Sequence, residues 1–331
     1  MVTSIISNTK KWISLEAERN SRKKISVFID MVYNYIIYGV FPQEYYHYGF
    51  YKKLRRDKKT YFTTKLYNKR RSQLSDSKYE DVIFLDKYIF SKVFNDLYNR
   101  KCMMITKETD KDDIKKFTKS IKKVVYKPLE ECEGRGVKSY SIDEFASADD
   151  FCQAILEETK DRGSAIIDEW IVQSEDMNKF YPKGVNCIRV YTFLHNGYFE
   201  FIDAKVSFGT KSDIVNATLD GNLFATVDVN TGIITSDLTD YTLICHKEHP
   251  VTGFKAKGTQ LPQWKLILEL AKKAAYRVPQ VAYVGWDIAL TQDGPVLIEG
   301  NHCGGCGGNQ FCTLSDKTTG SRDKWDVIAR I

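Results

Sequence analysis

Residues 284–301 read VGWDIALTQDGPVLIEGN and place two carboxylates and an amide, Asp287, Glu299 and Asn301, on the arms of one hairpin. Gln292-Asp293-Gly294 predicts a three-residue loop with Gly294 in the left-handed position, which sets Thr291 opposite Pro295, Ile288 opposite Ile298 and Asp287 opposite Glu299. Trp286, Ile288, Leu290, Val296 and Ile298 then share an apolar face, and Asp287, Ala289, Leu297, Glu299 and Asn301 share the other. Opposed carboxylates with Cβ atoms ~5 Å apart repel unless something positive lies between them. A metal ion is the economical candidate. Three oxygen donors without His or Cys suit Mg²⁺ or Mn²⁺, which complete their shells with water and phosphate oxygens. A hairpin face open to water would make the same charges harmless.

Cations that suit a phosphate lie elsewhere. Lys127 ends the strand in VVYKPLEECEGRGV, and Gly134-Arg135-Gly136 occupy the loop that follows. Glycines let backbone N–H groups approach an anion and a lysine adds a point charge, although a Gly-Arg-Gly turn alone also reads as a plain turn. Lys87, in LDKYIFSKVF, opens a helix. Arg189 in NCIRVYTF and Lys205 in DAKVSFG sit on strands where each singly would serve equally well in a cross-strand ion pair. As a set, four cations and a three-oxygen patch suit a nucleoside triphosphate with its metal.

The elements that must position them change in character along the chain. Residues 10–100 predict helices over 14–38, stopped by Gly39, then over 42–56 and 86–100. Strand and helix alternate from 103: MMIT, a helix over 112–120, KVVYKP, VKSYSI and a helix over 149–160. After 164 strands dominate (AIIDEWIVQ, NCIRVYTFL, YFEFIDAKVSF, and LFATVDV with GIITSDL around Asn230-Thr231-Gly232), followed by a helix over 262–277 and the final hairpin.

The length of 331 residues predicts two domains, or three small ones, and 43% hydrophobic residues with only 7 Pro exclude a collagen-like or largely disordered chain. The best apolar stretch, 25–41, is interrupted by Asp30 and Asn34, so no membrane-spanning helix is expected. The first residues lack a secretory pattern, which makes the cytoplasm the expected location. The eight cysteines are too dilute for a disulfide framework. Residues 1–71 carry 16 Lys and Arg against 5 Asp and Glu, a local +11 in a chain of net +6, which leaves −5 for the rest. Aromatic residues are interleaved with that charge. The mixture suits nucleic acid, an anionic membrane face or an acidic carbohydrate, and equally a helical subdomain with an aromatic core and a solvated basic face. No nucleic-acid-binding motif accompanies it, so no nucleic acid partner is expected, whereas 25–41, apolar nearly all round and basic at its start, reads as a peripheral membrane element or the receiver of a lipid-linked substrate.

The order of these parts resembles the ATP-grasp superfamily, an α+β fold in which two lobes clasp ATP. The strings HKEHPVTGFKAKGTQLPQW and VGWDIALTQDGPVLIEGN resemble its sugar-transfer-associated members, related to teichuronopeptide-type enzymes of surface-polysaccharide pathways. The resemblance implies a basic helical region over 1–80, a first lobe over 81–165 with the phosphate loop and a second over 166–331 with the metal hairpin. It implies that Lys87, Lys127 and the 134–136 loop hold ATP phosphates. Glu169, Trp170 and Val172 would read the adenine, Asp287, Glu299 and Asn301 would bind Mg²⁺ (or Mn²⁺), and Arg189, with Lys205, would meet the transferred phosphoryl group. The glycine loop is shorter than in many members, and Cys187 stands where related ligases often carry Asp. His302, Cys303, Cys306 and Cys312 have a spacing open to zinc, but a glycine-rich substrate loop with incidental thiols is the preferred reading.

The implied activity is an ATP-dependent carboxylate–amine ligase working through an acyl phosphate, joining an amino acid or other amine to a uronic acid or other acidic sugar intermediate of polysaccharide biosynthesis. A small-molecule or sugar kinase on the same fold and a nucleotide- or glycan-binding module without turnover are the alternatives.

Overall fold

A computed structural model describes residues 2–75, 77–129, 135–211, 221–302, 307–314 and 319–331. Helices fill the first hundred residues: α1 Val2–Arg19, α2 Lys24–Tyr38, α3 Pro42–His47, α4 Arg55–Lys58, α5 Thr64–Leu74, α6 Ser77–Phe84, α7 Lys87–Val93 and α8 Asn95–Tyr98. The helix expected over 14–38 is two helices. Asn20 Nδ2 turns back to Glu16 Oε1 at 2.8 Å, Ser21 takes a left-handed φ of 51° and Arg22 N–H reaches Ala17 O, which closes α1 before α2 begins. Gly39, with φ 69°, stops α2 as expected by donating its N–H to Tyr35 O. The segment expected as one helix over 86–100 is capped by Asp86 and breaks at Phe94 into α7 and α8.

The first sheet is four-stranded and antiparallel: β1 Cys102–Thr106, β2 Lys123–Pro128, β3 Lys138–Ser141 and β4 Ser164–Glu169, in the order β1-β4-β2-β3. Helices α9 Lys111–Thr118 and α10 Ala148–Lys160 pack on it around Ile105, Ile114, Tyr126, Phe151, Ile155 and Ile167. Ser147 caps α10 by accepting from Asp150 N–H, and burial along β2 alternates as its KVVYKP sequence requires.

A short helix, α11 Glu175–Asn178, leads to the larger sheet. Its seven strands are β5 Cys187–His195, β6 Tyr198–Phe208, β7 Leu223–Val227, β8 Leu238–Thr239, β9 Cys245–His246, β10 Tyr283–Thr291 and β11 Gly294–Asn301, in the order β11-β10-β5-β6-β7-β8-β9. Helix α12 Trp264–Arg277 packs with α6, α7 and α8 on one face, where Ile188, Val190, Val206, Ile267, Ala271, Ile288 and Leu297 are buried with Phe84, Phe90 and Phe94. A last short helix, α13 Arg322–Trp325, sets Trp325 against Tyr191 with ring centroids 4.9 Å apart.

The basic aromatic region packs against this sheet. Tyr45, Tyr48, Phe50 and Tyr61 cluster with Phe224 and Phe311, and Phe62 and Tyr67 join Tyr191, Tyr283 and Trp325. Most of the interleaved aromatics therefore form core, while the lysines and arginines between them face outward. Among the described residues no helix is long and apolar enough to cross a membrane.

The hairpin register differs from expectation twice. Thr291 pairs with Gly294, so the loop is Gln292-Asp293, one residue shorter, and a bulge between Asp287 and Ile288 restores the frame. The two shifts cancel at Asp287↔Glu299, the pair expected, but not between them: Ile288 faces Leu297, and Leu297 takes the core place expected of Ile298.

Candidate active site

Four charged residues line up across four neighbouring strands. Glu299 on β11 pairs with Asp287 on β10, Asp287 with Arg189 on β5, and Arg189 with Lys205 on β6. Lateral partners share a face, so the row runs minus, minus, plus, plus over one face of the sheet. The opposite face is apolar and anchors the row: Ile188 and Ile288, neighbours of Arg189 and Asp287, are both wholly buried.

The positive group beside the carboxylates is Arg189. Its Nε donates to Asp287 Oδ1 and its Nη2 to Asp287 Oδ2, each at 2.5 Å, a bidentate charge-assisted pair. Burial would raise the Asp287 pKa, but the Arg189 guanidinium outweighs it and holds the carboxyl below its ordinary value. Among the described residues Glu299 has no such partner. Burial, then the charge of Asp287, pushes it up, and the charges of Arg189 and Lys127 only moderate the rise. Asn301 turns its amide toward both, with Nδ2 at 3.1 Å from Asp287 Oδ2 and 3.4 Å from Glu299 Oε1. Lys205 is buried beside Arg189, and these two causes push its pKa down to about 7. The thiol of Cys187, two residues before Arg189, is raised by burial and next by Asp287.

Hard-oxygen donors with one under-compensated, half-buried carboxylate fit a small divalent cation. Asp287 and Glu299 supply the charge, and rotation of the Asn301 amide would present its oxygen to the same point. No cluster of three or more His, Cys, Asp or Glu suited to a metal occurs among the described residues, so an ion here would rest on two carboxylates and an amide. The alternative zinc set is not assembled in the part that can be seen. His302 bonds Asp81 at 3.1 Å and Cys312 accepts from Arg19 at 3.3 Å, while Cys303 and Cys306 lie outside the described residues.

Of the expected phosphate-binding cations among the described residues, only Lys127 of the smaller sheet is brought within reach of the row's carboxylates. Lys127 Nζ lies 2.6 Å from Asp168 Oδ2 on the neighbouring β4, and its charge reaches Glu299. Lys87, at the start of α7, donates to Pro128 O at 2.8 Å, at the end of β2. Gly134 lies outside the described residues; Arg135 is exposed. Gly136 has φ 67°, and a Cβ there would lie 2.5 Å from Arg162 Nη1 and 2.9 Å from Pro128, so this turn needs glycine. Glu169, Trp170 and Val172 occupy the passage from β4 to the larger sheet. Glu169 Oε2 accepts from Lys101 N–H, Trp170 lies under Lys123 Nζ at 3.8 Å and Val172 is 72% exposed.

Sequence reasoning missed Asp168 and Arg100. Asp168, 1% exposed, accepts from Lys127, from Tyr98 Oη at 2.5 Å and from Arg100 at 3.4 Å. Burial would raise this carboxyl, yet Lys127 and Arg100 together hold it at about 2. Arg100 also donates to Leu297 O at 2.6 Å and Ile298 O at 3.4 Å, the carbonyls at the β11 bulge, and so ties the Lys127 network to the strand that carries Glu299. The acidic residue in IIDEW adjoining Glu169 was the available signal for Asp168; nothing local marks Arg100.

The family profile described as sugar-transfer associated ATP-grasp matches residues 59–315. The chain belongs to the sugar-transfer associated ATP-grasp family. Solved structures similar to this ATP-grasp chain include the VanG D-Ala:D-Ser ligase of Enterococcus faecalis, at 11% identity and a TM-score of 0.49, covering 77% of this chain and 64% of that one. D-cycloserine synthetase DcsG, at 12% and 0.44, covers 75% and 71%. D-alanyl-alanine synthetase A of Vibrio cholerae, at 14% and 0.40, covers 66% and 54%. The chain thus spans about half the length of the Vibrio protein. No curated relative matches it.

Proposed function

We propose that this ATP-grasp protein is an ADP-forming ligase that joins a carboxylate to an amine through an acyl phosphate. One observation carries the reading: the row Glu299, Asp287, Arg189 and Lys205 is joined to the other sheet at its Glu299 end, where the charge of Lys127 acts on Glu299 and Arg100 bonds both Asp168 and the β11 carbonyls. Carboxylates suited to a metal ion beside cations suited to phosphate are what a phosphoryl transfer requires.

In this reading Lys87, Lys127 and the 134–136 loop hold the phosphates of ATP, and Glu169, Trp170 and Val172 read the adenine. Asp287, Glu299 and Asn301 hold Mg²⁺ (or Mn²⁺), which when bound neutralises and orients phosphate oxygens. Arg189 and Lys205 stand over the transferred group. Lys205, pushed down to about 7 by burial and by Arg189, takes up a proton fully when an anion settles beside it. The substrate carboxylate attacks the γ-phosphorus, ADP leaves, and an amine displaces phosphate to leave the amide. No side chain is needed as nucleophile, so catalysis is positioning and electrostatic stabilisation.

The sugar-transfer description of the family supports an acidic sugar, such as a uronic acid, as the carboxylate, an amino acid or amino sugar as the amine, and a place in surface-polysaccharide biosynthesis. The basic N-terminal region packs on the row's own face of the sheet, against Phe224 and Tyr191 and through Phe62, Gln310 and Phe311, which supports reading it as the receiver of an acidic glycan or its lipid carrier at the cytoplasmic membrane surface. Charge reversal of Lys52, Lys53, Arg55 and Arg56 is expected to weaken glycan affinity, measured by calorimetry; unchanged affinity contradicts this placement. ADP release in a panel of acidic sugars and amines tests the ligase itself. ADP is expected only when acid and amine are both present, and Glu299→Ala is expected to lower turnover by ~100-fold or more. A variant as active as the parent would contradict the assignment.

A further inference from the structure

The helix α2 buries only one narrow side. Val27 and Met31 are buried with Trp12 of α1 and Tyr45 of α3, and Asn34 accepts from Lys58 of α4, while Ile25, Phe28, Ile29, Val32, Ile36 and Ile37 point outward. Ile25 is 64%, Ile29 61% and Ile36 68% exposed. At 100° per residue, Ile25, Ile29, Val32 and Ile36 fall within about 60° of one another. Phe28 and Ile37 widen the band, and no charged residue lies inside it. Asp30, the one acid of the helix, is on the flank, held by Arg22 and by Tyr45 Oη. A helix this apolar on its outer side has a partner.

Its surroundings say which kind. Lys23 and Lys24 are exposed at the start of α2, and Lys52, Arg55, Arg56 and Lys59 are exposed in and beside α4. Lys65 lies over the ring of Tyr35 at the edge of the band, with its Nζ 4.9 Å from the centroid. Residues 1–71 as a whole carry +11. Pairing of two copies through α2 would bring two such regions together against their repulsion, whereas an anionic lipid surface complements them. At 15 residues α2 is ~22 Å long, short of the ~30 Å of a hydrocarbon core, so it fits the interface plane and not a transmembrane path.

We propose that the outward face of α2 embeds in the interface of an anionic bilayer, with isoleucines and Phe28 among the acyl chains and the surrounding lysines and arginines at the headgroups. The proposal refines the membrane placement given above and is independent of the ligase chemistry. It makes the membrane itself, and not only a soluble glycan, a partner of this enzyme.

Flotation of the full chain with vesicles tests it, using phosphatidylcholine alone or mixed with phosphatidylglycerol. The protein is expected to float with the anionic vesicles, and Ile29→Gln/Ile36→Gln to reduce partitioning ~10-fold or more. Both positions are exposed and Gln is a good helix former, so the circular dichroism, melting temperature and ATP affinity of the variant are expected to match the parent. Lys52→Glu/Arg55→Glu and added salt are expected to weaken binding to the anionic vesicles. Absence of binding to anionic vesicles, or equal binding by the Gln variant, would overturn the proposal. So would a parent dimer in lipid-free solution that the Gln variant dissociates, which would assign the face to a second copy. Vesicle binding without ADP formation in any substrate mixture would leave α2 assigned and remove only the ligase reading.

Discussion

Asp168 carries more of the site than any residue the sequence advertises. Its one bonded oxygen meets Lys127, Arg100 and Tyr98, so removing the negative charge leaves Arg100 and the half-buried Lys127 without it. Asp168→Asn is expected to cost ~3–5 kcal/mol of stability, read by urea denaturation, and to weaken nucleotide binding through Lys127. A loss under ~1 kcal/mol would show that the network contributes little. Asp287, Glu299, Asn301 and Lys127 were legible because carboxylates opposed on a hairpin and a lysine at a strand end are local patterns. Asp168 and Arg100 were not, because β4 lies between β1 and β2, an order that no local spacing displays. The same holds for Arg189: its strand could be read, but its pairing with Asp287 depends on β10 lying beside β5.

Among the elements, β11 is held to close tolerance. Gly300 stands between Glu299 and Asn301 with its missing side chain turned to the core, where a Cβ would lie 2.5 Å from Phe84 Cε1 and 3.1 Å from Phe90. Gly300→Ala is expected to cost ~1–3 kcal/mol by overpacking and to lower turnover, since both proposed ligands flank it. Retained activity at a lowered melting temperature would separate the strand's packing from its chemistry. The hairpin also shows how a sequence reading can reach the right pair by the wrong route. Hydrophobic alternation fixed the sidedness at Asp287 and Glu299, but alternation carries no sign of a bulge, and here the bulge offsets a loop one residue shorter than expected. The N-terminal helices lend themselves to a pH test with two opposite signs. His47, buried on α3 with Nε2–H donating to Tyr241 O, is lowered by burial from 6.5 to about 4, so its contribution is complete above pH 6.5 and lost as pH falls toward 4. Glu16, buried on α1, is raised by burial from 4.5 to about 7, so its contribution is complete below pH 4.5 and lost as pH rises through 7. Glu16→Gln is therefore expected to raise the melting temperature above pH 7 and not below 4.5, and His47→Phe to flatten the decline between 6.5 and 4. Thermal melts across that range check both, and a uniform shift at every pH would contradict the assignment.

At the scale of the whole molecule, the division of charge has a structural meaning. The +11 region is no separate arm: most of its aromatic residues pack in two clusters, one with Phe224 and the other with Tyr191 and Tyr283 of the large sheet and Trp325 of α13, and its cations cover the outside. Composition alone showed the mixture but not which ring faced inward, because helices α2 and α3 have apolar residues on several sides and only their neighbours decide. The two sheets, the carboxylate-bearing hairpin and the lysine-bearing strand were legible as an α+β, ATP-grasp chain, and the family match over residues 59–315 agrees. The charged row links that fold to its proposed chemistry, and the acyl phosphate is the claim on which the account turns. The most direct measurement follows ADP and hydroxamate together, with ATP, Mg²⁺, a panel of acidic sugars and amino acids, and hydroxylamine as a general amine. The account expects hydroxamate in step with ADP for the productive acid, and loss of both signals in Glu299→Ala. ADP accompanied by a phosphorylated product and no hydroxamate would contradict it and make the protein a kinase.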